Sequence, residues 1–237
     1  MGIGKDFAPL EAKIGYKFSD IKYLETALTH SSYSNEQKSR GMNFESNERL
    51  EFLGDSVLEI VISKYLYENC KKRSEGALTK MRQHLVCEKT LAKIAAELNI
   101  GDYINLGRGE ELTDCRRRPK ILADALEAVF GAIYLDSRES ENGYSPVILS
   151  LFDKEIEKAL LSQRGDYKTQ LQQLVEKDGS AILEYKVVEE TGPEHNKTFT
   201  VAAVVNNNTV GIGTSKSKKD AEMEAAGNAL KLFGVAL

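Results

Sequence analysis

Glu48, Glu51 and Asp55 recur at i, i+3 and i+7 in Asn47-Glu48-Arg49-Leu50-Glu51-Phe52-Leu53-Gly54-Asp55-Ser56-Val57-Leu58-Glu59, a stretch whose pattern predicts a helix. All three carboxylates then share one face. Like charges stacked that way repel, so a helix gains no stability from the arrangement. A bound divalent cation removes the penalty, because hard cations such as Mg²⁺ take clustered carboxylate oxygens. For an acidic helix met alone, a solvated charged face would be the better explanation.

A second acidic pair changes the balance. Ile121-Leu122-Ala123-Asp124-Ala125-Leu126-Glu127-Ala128-Val129-Phe130-Gly131-Ala132-Ile133-Tyr134-Leu135 is apolar almost all round and reads as a buried helix. Asp124 and Glu127, one turn apart, are its interior charges. A bare buried carboxylate costs several kcal/mol or takes up a proton, so the pair requires cations or donors. A salt bridge to Arg or Lys would suffice for this helix alone. Two acidic helices in one chain, one of them buried, favour a shared metal site. Oxygen ligands without His or Cys suit Mg²⁺ or Mn²⁺ rather than Zn²⁺.

The elements that must position these acids are helical. Leu10 to Gly15 and Asp20 to Thr29 are amphipathic, Glu48 to Glu68 is long, and Gly76 to Leu98 is broken around Val86 to Lys89. Asp124 to Leu135 and Val147 to Leu160 follow, with Asn142-Gly143-Tyr144-Ser145-Pro146 expected as a separating turn. Leu161-Ser162-Gln163-Arg164-Gly165 reads as a polar linker, dividing the chain into domains of residues 1–160 and 166–235. Beyond it the pattern changes. Asp166 to Glu176 is an amphipathic helix, Glu184 to Glu189, Thr198 to Val205 and Thr209 to Gly213 are strands, and Asn206-Asn207-Asn208 is a turn. An Ala-rich helix capped by Ser217 closes an α-β-β-β-α order. The expected fold is an all-α domain followed by a small α+β domain.

Bulk properties narrow the class. Cys70, Cys87 and Cys115 are odd in number and lack metal-ligand spacing, which predicts reduced thiols in a cytosol. Neither a secretory signal, a myristoylation motif nor a membrane-length apolar run is visible, so a cytoplasmic protein without a membrane partner is expected. The net charge of −4 speaks against a nucleic-acid partner at first sight. Binding depends on where basic groups cluster, however, and Arg116-Arg117-Arg118 and Lys216-Ser217-Lys218-Lys219 are candidate phosphate contacts. For the arginine run, a solvated loop is an equal explanation.

The segment Asn47 to Leu58 resembles the signature of ribonuclease III, the double-stranded-RNA endonucleases, and Ile121 to Asp136 is similar to that family's second catalytic helix. Ala27-Leu28-Thr29-His30-Ser31-Ser32-Tyr33, Glu75-Gly76-Ala77-Leu78-Thr79-Lys80-Met81-Arg82 and Leu106-Gly107-Arg108-Gly109-Glu110-Glu111 fall in the family's order. The resemblance implies a catalytic domain whose metal ligands are Glu51, Asp55, Asp124 and Glu127, with Asp55 and Glu127 most critical. Glu48 and Glu75 match acidic positions lining the family's cleavage valley. The implied reaction is Mg²⁺-dependent hydrolysis of both strands, with Mn²⁺ able to substitute. It leaves 5′-phosphate and 3′-hydroxyl ends with short 3′ overhangs. Neither acidic segment holds a His or Lys as general base, which suits metal-activated water. One cluster cuts one strand, so a two-fold homodimer is implied, with hydrophobic side chains of the signature helix as a candidate seam. Gly54 is expected to allow close backbone approach.

Residues 166–235 resemble a double-stranded-RNA-binding domain, in which Thr169, Gln172, Glu176 and His195 match minor-groove contacts and Lys216, Ser217, Lys218 and Lys219 match groove-spanning ones. Lysines at a helix N-terminus reinforce its attraction for phosphate, and such a module reads shape, 2′-hydroxyls and phosphates. Eight Lys, no Arg and ten acidic residues from 166 onward mean that affinity rests on a small face and weakens steeply with salt. Ser215 stands where members usually carry a third Gly. Ribosomal RNA precursors and structured mRNAs are the implied substrates. A noncatalytic double-stranded-RNA-binding or ribosome-associated protein is the alternative, but its expected mark, a lost acidic ligand, is not found. A phosphohydrolase of small nucleotides is disfavoured by the C-terminal domain.

Overall fold

The computed structural model describes residues 5–71, 73–138, 141–162, 167–176, 182–193 and 197–235. Its contacts divide the chain into two units, Met1–Ala159 and Leu160–Leu237. The first is helical: α1 Ala8–Ile14, α2 Ile21–Ala27, α3 Ser31–Ser39, α4 Glu48–Asn69, α5 Glu75–Leu85, α6 Glu88–Leu98, α7 Arg108–Leu112, α8 Pro119–Asp136 and α9 Glu141–Ser162. Local chemistry sets several boundaries. Asp20 and Ser74 accept backbone N–H groups at the starts of α2 and α5, and Asn99 closes α6 in a left-handed conformation.

The long apolar run makes α8 the centre of this unit, packed against α2, α4 and α6. Ala125, Leu126, Ala128, Val129, Phe130, Ala132 and Ile133 are fully buried. Each buried Leu, Ile or Phe contributes about 1.5–3 kcal/mol by leaving water. At its C-terminal end, the buried Asp136 carboxylate accepts from Tyr16 Oη and from the backbone N–H groups of Ser19 and Asp20, each at 2.8 Å. That ties the loop before α2 to α8.

Three expectations are corrected. The Asn142–Pro146 turn is the start of α9, which continues through Pro146. A proline so early in a helix forfeits one backbone hydrogen bond, and packing offsets it: Tyr144 meets Tyr134 edge-on at 5.1 Å, and Phe152 lies 6.0 Å from Phe130. Helix α8 begins at Pro119, five residues before Asp124, because proline suits a first helical position. Helix α3 went unforeseen, since Ser31–Ser39 is polar and buries only Gln37. The linker expected at 161–165 falls on the last residues of α9 and on residues outside the described ones. Among the described residues, no helix is long and apolar enough to cross a membrane.

The second unit contains α10 Tyr167–Glu176, β1 Leu183–Thr191, β2 Thr198–Val205, β3 Asn208–Ser215 and α11 Lys218–Leu232, with an antiparallel sheet ordered β1-β2-β3. The β2–β3 turn is two residues, not three: Asn206 and Asn207 take φ values of 48° and 67°, and Asn208 already pairs with Val205. Asparagine tolerates that conformation, which matches the twist of a tight hairpin. Leu171 and Val175 of α10, Ala203 of β2, and Ala225, Ala226, Ala229 and Leu230 of α11 form the core. A Cβ at Gly211 or Gly213 would come within 2.2–2.3 Å of α11 backbone oxygens, so these glycines let the helix lie against β3. Ser215 stays in the strand, paired with Phe199, and its departure from glycine leaves the sheet regular there.

Candidate active site

Helices α4 and α8 cross at a glycine contact. A Cβ on Gly54 would sit 1.7 Å from the Glu127 carbonyl oxygen, and one on Gly131 would sit 2.4 Å from the Leu50 carbonyl oxygen. With hydrogens there instead, the backbones approach closely enough for the acids beside the glycines to meet. Gly54 does what its sequence context suggested, and Gly131 is its unforeseen counterpart on α8.

Ligand-capable oxygens of Glu51, Asp124 and Glu127 all lie within 4.8 Å of one another, and all three side chains are half-buried. Desolvation pushes the Glu127 pKa up to about 8, helped by the charges of Asp55, Glu51 and Asp124. Glu51 is raised by desolvation and by Asp124, with lesser contributions from Glu48 and Asp55. Asp124 is raised by desolvation and by Glu88. Three carboxylates held this close are mutually destabilising unless protonated or given a cation.

The remaining acids lie at different distances from this centre. Asp55, one turn along α4, is exposed and outside the 4.8 Å group, although its charge reaches Glu127. Glu48 is exposed and accepts from Ser46 Oγ at 2.9 Å. Glu75, at the start of α5, accepts from Thr79 Oγ1 at 2.8 Å and borders a pocket of about 350 Å³ with Ser63, Tyr67 and Arg82. It is not among the charges that shift the clustered acids.

Sequence reasoning missed three residues around Asp124. Lys120 lowers the pKa of both Asp124 and Glu51, His30 lowers that of Asp124, and Glu88 raises it. Lys120 precedes Asp124 by one helical turn, a signal that required the start of α8 to be placed at Pro119. His30 and Glu88 give no local signal. His30 caps α3, its Nδ1 accepting from Ser32 N–H. The strand-like pairing of Thr29 with Asn105, and the donation from Asn47 N–H to Thr29 O at 2.8 Å, hold this segment at the start of α4.

Arg116 is a structural residue. Its guanidinium donates to both Glu111 carboxylate oxygens at 2.9 and 2.6 Å and to the carbonyls of Gly101 and Ile104. Arg117 and Arg118 are exposed, with Arg118 3.7 Å from Glu110.

In the second unit, Thr169, Gln172 and Glu176 are exposed on one face of α10, where Gln172 donates to Glu176 at 2.7 Å. Ser217 caps α11 through Asp220 N–H, Lys216 donates to Thr198 Oγ1, Lys218 lies over the Phe199 ring, and Lys219 is exposed. His195 lies outside the described residues.

A helical unit with two acid-bearing helices, followed by an α-β-β-β-α unit, defines a nuclease with an attached duplex-RNA-binding module. Residues 20–144 match the model of the Ribonuclease-III-like family, and residues 167–232 match the double-stranded RNA binding motif. Ribonuclease 3 from Bacillus cereus (strain AH187) and from Bacillus anthracis (strain CDC 684 / NRRL 3495) are each 46% identical over 226 residues, covering 95% of this chain and 90% of theirs. Among solved structures, the nuclease domain of ribonuclease III from Campylobacter jejuni is 41% identical with a TM-score of 0.57, covering 63% of this chain and 97% of that one. The chain belongs to the ribonuclease III family and is an endoribonuclease.

Proposed function

We propose that this enzyme hydrolyses both strands of double-stranded RNA in a Mg²⁺-dependent reaction, Mn²⁺ substituting. It leaves 5′-phosphate and 3′-hydroxyl ends with short 3′ overhangs. The observation that carries this reading is the convergence of Glu51, Asp124 and Glu127 within 4.8 Å.

The donor set fits a hard divalent cation: it is all oxygen, half-buried and mutually repulsive. A cation held there supplies Lewis-acid activation of water and charge relief at the phosphate. Glu51, Asp124 and Glu127 would hold it, with Asp55 completing the set from the exposed rim. With its pKa at about 8, Glu127 is mostly protonated at pH 7 without a cation and gives up that proton on loading, so uptake strengthens as pH rises. Glu48 adds negative charge beside Glu51, and Glu75, which borders a pocket with Ser63, Tyr67 and Arg82 that none of the clustered acids lines, is assigned to the cleavage valley on the family's pattern.

Binding is assigned to the second unit. Thr169, Gln172, Glu176 and His195 contact the minor groove, while Lys216, Ser217, Lys218 and Lys219 meet phosphates at the α11 N-terminus. One acid cluster per chain serves one strand, so the working form is a two-fold homodimer. Phe52, Ile60 and Tyr67 on α4, exposed by 79%, 60% and 75%, supply apolar surface for a seam. The Campylobacter nuclease-domain structure likewise concerns a region involved in dimer formation. Ribosomal RNA precursors and structured mRNAs in the cytoplasm are the substrates.

The test is cleavage of a long, perfectly paired RNA with Mg²⁺ and with EDTA, beside Glu127→Gln. Mg²⁺-dependent cutting to short staggered duplexes, lost in the variant while binding persists, supports the reading. Tight binding without cleavage by the intact protein, with either Mg²⁺ or Mn²⁺, would make it a noncatalytic binder.

A further inference from the structure

We propose that Glu224 and Asn228 of α11 close the free edge of β3, so that no extended segment, and in particular not β3 of a second copy, can add a strand there. The inference concerns the second unit and stands apart from the catalytic reading above.

Strand β3 is an edge of the sheet, and an edge strand offers unpaired N–H and C=O groups to any extended chain that meets it. The two edges of this sheet are guarded differently. Strand β1 carries Glu184, Lys186, Glu189 and Glu190, and its register to β2 shifts between Val187 and Glu189. Charge and irregularity both discourage strand addition. Strand β3 runs Asn208-Thr209-Val210-Gly211-Ile212-Gly213-Thr214-Ser215, without a charged side chain. Its residues 211–215 pair in unbroken register with residues 199–203, and Ile212 is 52% exposed. Left alone, that run would be an adhesive edge.

Two side chains of α11 occupy it. Asn228 Nδ2 donates to the Ile212 carbonyl oxygen at 2.7 Å, and Glu224 accepts from the Thr214 N–H at 2.9 Å. Residues two apart in a strand point their backbone groups the same way, so both groups belong to the outer edge. The spacings match: two strand residues span about 6.6 Å and four helical residues about 6 Å. Gly211 and Gly213 let α11 lie close enough for both side chains to reach.

The chemistry is that of a neighbouring strand. Opposite Gly213, a residue of an added parallel strand would donate its N–H to the Ile212 oxygen and accept from the Thr214 N–H. Asn228 supplies that donor and Glu224 that acceptor, so the pair stands in for one strand residue. An antiparallel strand meets the same obstruction, because it needs both groups of Ile212 and both of Thr214.

A purely structural alternative has the two bonds only fasten α11 to the sheet, and the roles separate experimentally. Three full-length proteins are compared without RNA: the intact chain, the double variant Glu224→Ala with Asn228→Ala, and that double variant with Ile212→Lys added. Mass is followed by sedimentation velocity at concentrations where the intact chain keeps one mass. Circular dichroism reports the fold, and hydrogen exchange reports the Thr214 N–H. We expect the double variant to stay folded and exceed the intact mass at least about twofold, since the smallest step joins two assemblies. With Ile212→Lys added, the edge is open but its charge keeps strands apart. The intact mass should then return, while the Thr214 N–H exchanges about tenfold faster than in the intact chain.

A folded double variant with the mass of the intact chain would overturn the proposal and leave the two bonds as fasteners. Loss of helix or strand signal in the double variant would overturn it as well, because the side chains would then hold the fold rather than guard an edge. Association that Ile212→Lys does not reverse would trace to another surface, with the same consequence. Equal exchange of the Thr214 N–H in the intact chain and the triple variant would show that Glu224 does not occupy it, and the closed edge falls.

Discussion

Replacing Glu127 by Gln should make the metal-free protein more stable at alkaline pH, although it removes a group from the proposed active site. Burial and the charges of Asp55, Glu51 and Asp124 hold the folded-state pKa of Glu127 at about 8, against an ordinary value of 4.5. A carboxyl raised in this way favours the folded state fully below its unfolded pKa, and that contribution is lost as pH rises through the folded value. The window therefore runs from about pH 4.5 to pH 8. In a fully buried group the difference would amount to about 5 kcal/mol, at about 1.4 kcal/mol per pH unit. Glu127 is only half-buried, and solvent screening reduces this to about 1–2 kcal/mol. Gln keeps the shape and cannot ionise. In EDTA at pH 9 the variant should unfold about 2–8 °C above the intact chain by scanning calorimetry, with the gap closing toward pH 4.5. Saturating Mg²⁺ should reverse the order, because a ligand at about 100 times its Kd adds about 2.7 kcal/mol to the protein that binds it. A variant equally stable or less stable at pH 9 in EDTA would refute the claim that these carboxylates repel one another.

Gly54→Ala should cost about 3 kcal/mol or more in denaturant unfolding, because its Cβ would lie 1.7 Å from the Glu127 carbonyl oxygen and force α4 from α8. An unchanged midpoint would mean that the helices do not meet there. Asp136→Ala leaves Tyr16 Oη and two backbone N–H groups without their acceptor and should cost about 3 kcal/mol; a loss under about 1 kcal/mol would show that water replaces the carboxylate. Lys219→Ala should weaken duplex-RNA binding alike for all sequences and make the log–log salt dependence shallower by about one. An unaltered slope would remove Lys219 from the phosphate contacts. Asn207→Gly should stabilise the second unit by about 0.5 kcal/mol, since φ is 67° there, and a lower melting temperature would contradict the turn assignment.

Much of the architecture was legible because local rules govern it. Helical spacing revealed the acid faces of α4 and α8, the break between Leu85 and Glu88 separated α5 from α6, and Ser217 marked the start of α11. Alternation and an asparagine turn located the hairpin of β2 and β3. Failures came where contacts distant in sequence override local preference. Polar α3 is secured by the His30 cap, by Ser34 Oγ donating to Phe44 O, and by Glu36 accepting from Arg108 N–H. Helix α9 runs through Pro146 because aromatic rings on α8 receive its side chains. Arg116, readable as a phosphate contact, is consumed by Glu111 and two carbonyls.

From its sequence alone this chain declares two grammars, two acidic helices, and the face on which each carboxylate stands, since spacing within a helix dictates direction. Spacing cannot set the register between two helices. That was decided by packing, where Gly54 seats against the Glu127 backbone and Gly131 against Leu50. The seating brings Glu51 to Asp124 and Glu127, leaves Asp55 on the rim, and draws Lys120, Glu88 and His30 around Asp124. Which acids become a site depends on how closely two backbones approach, and only the folded core determines that distance.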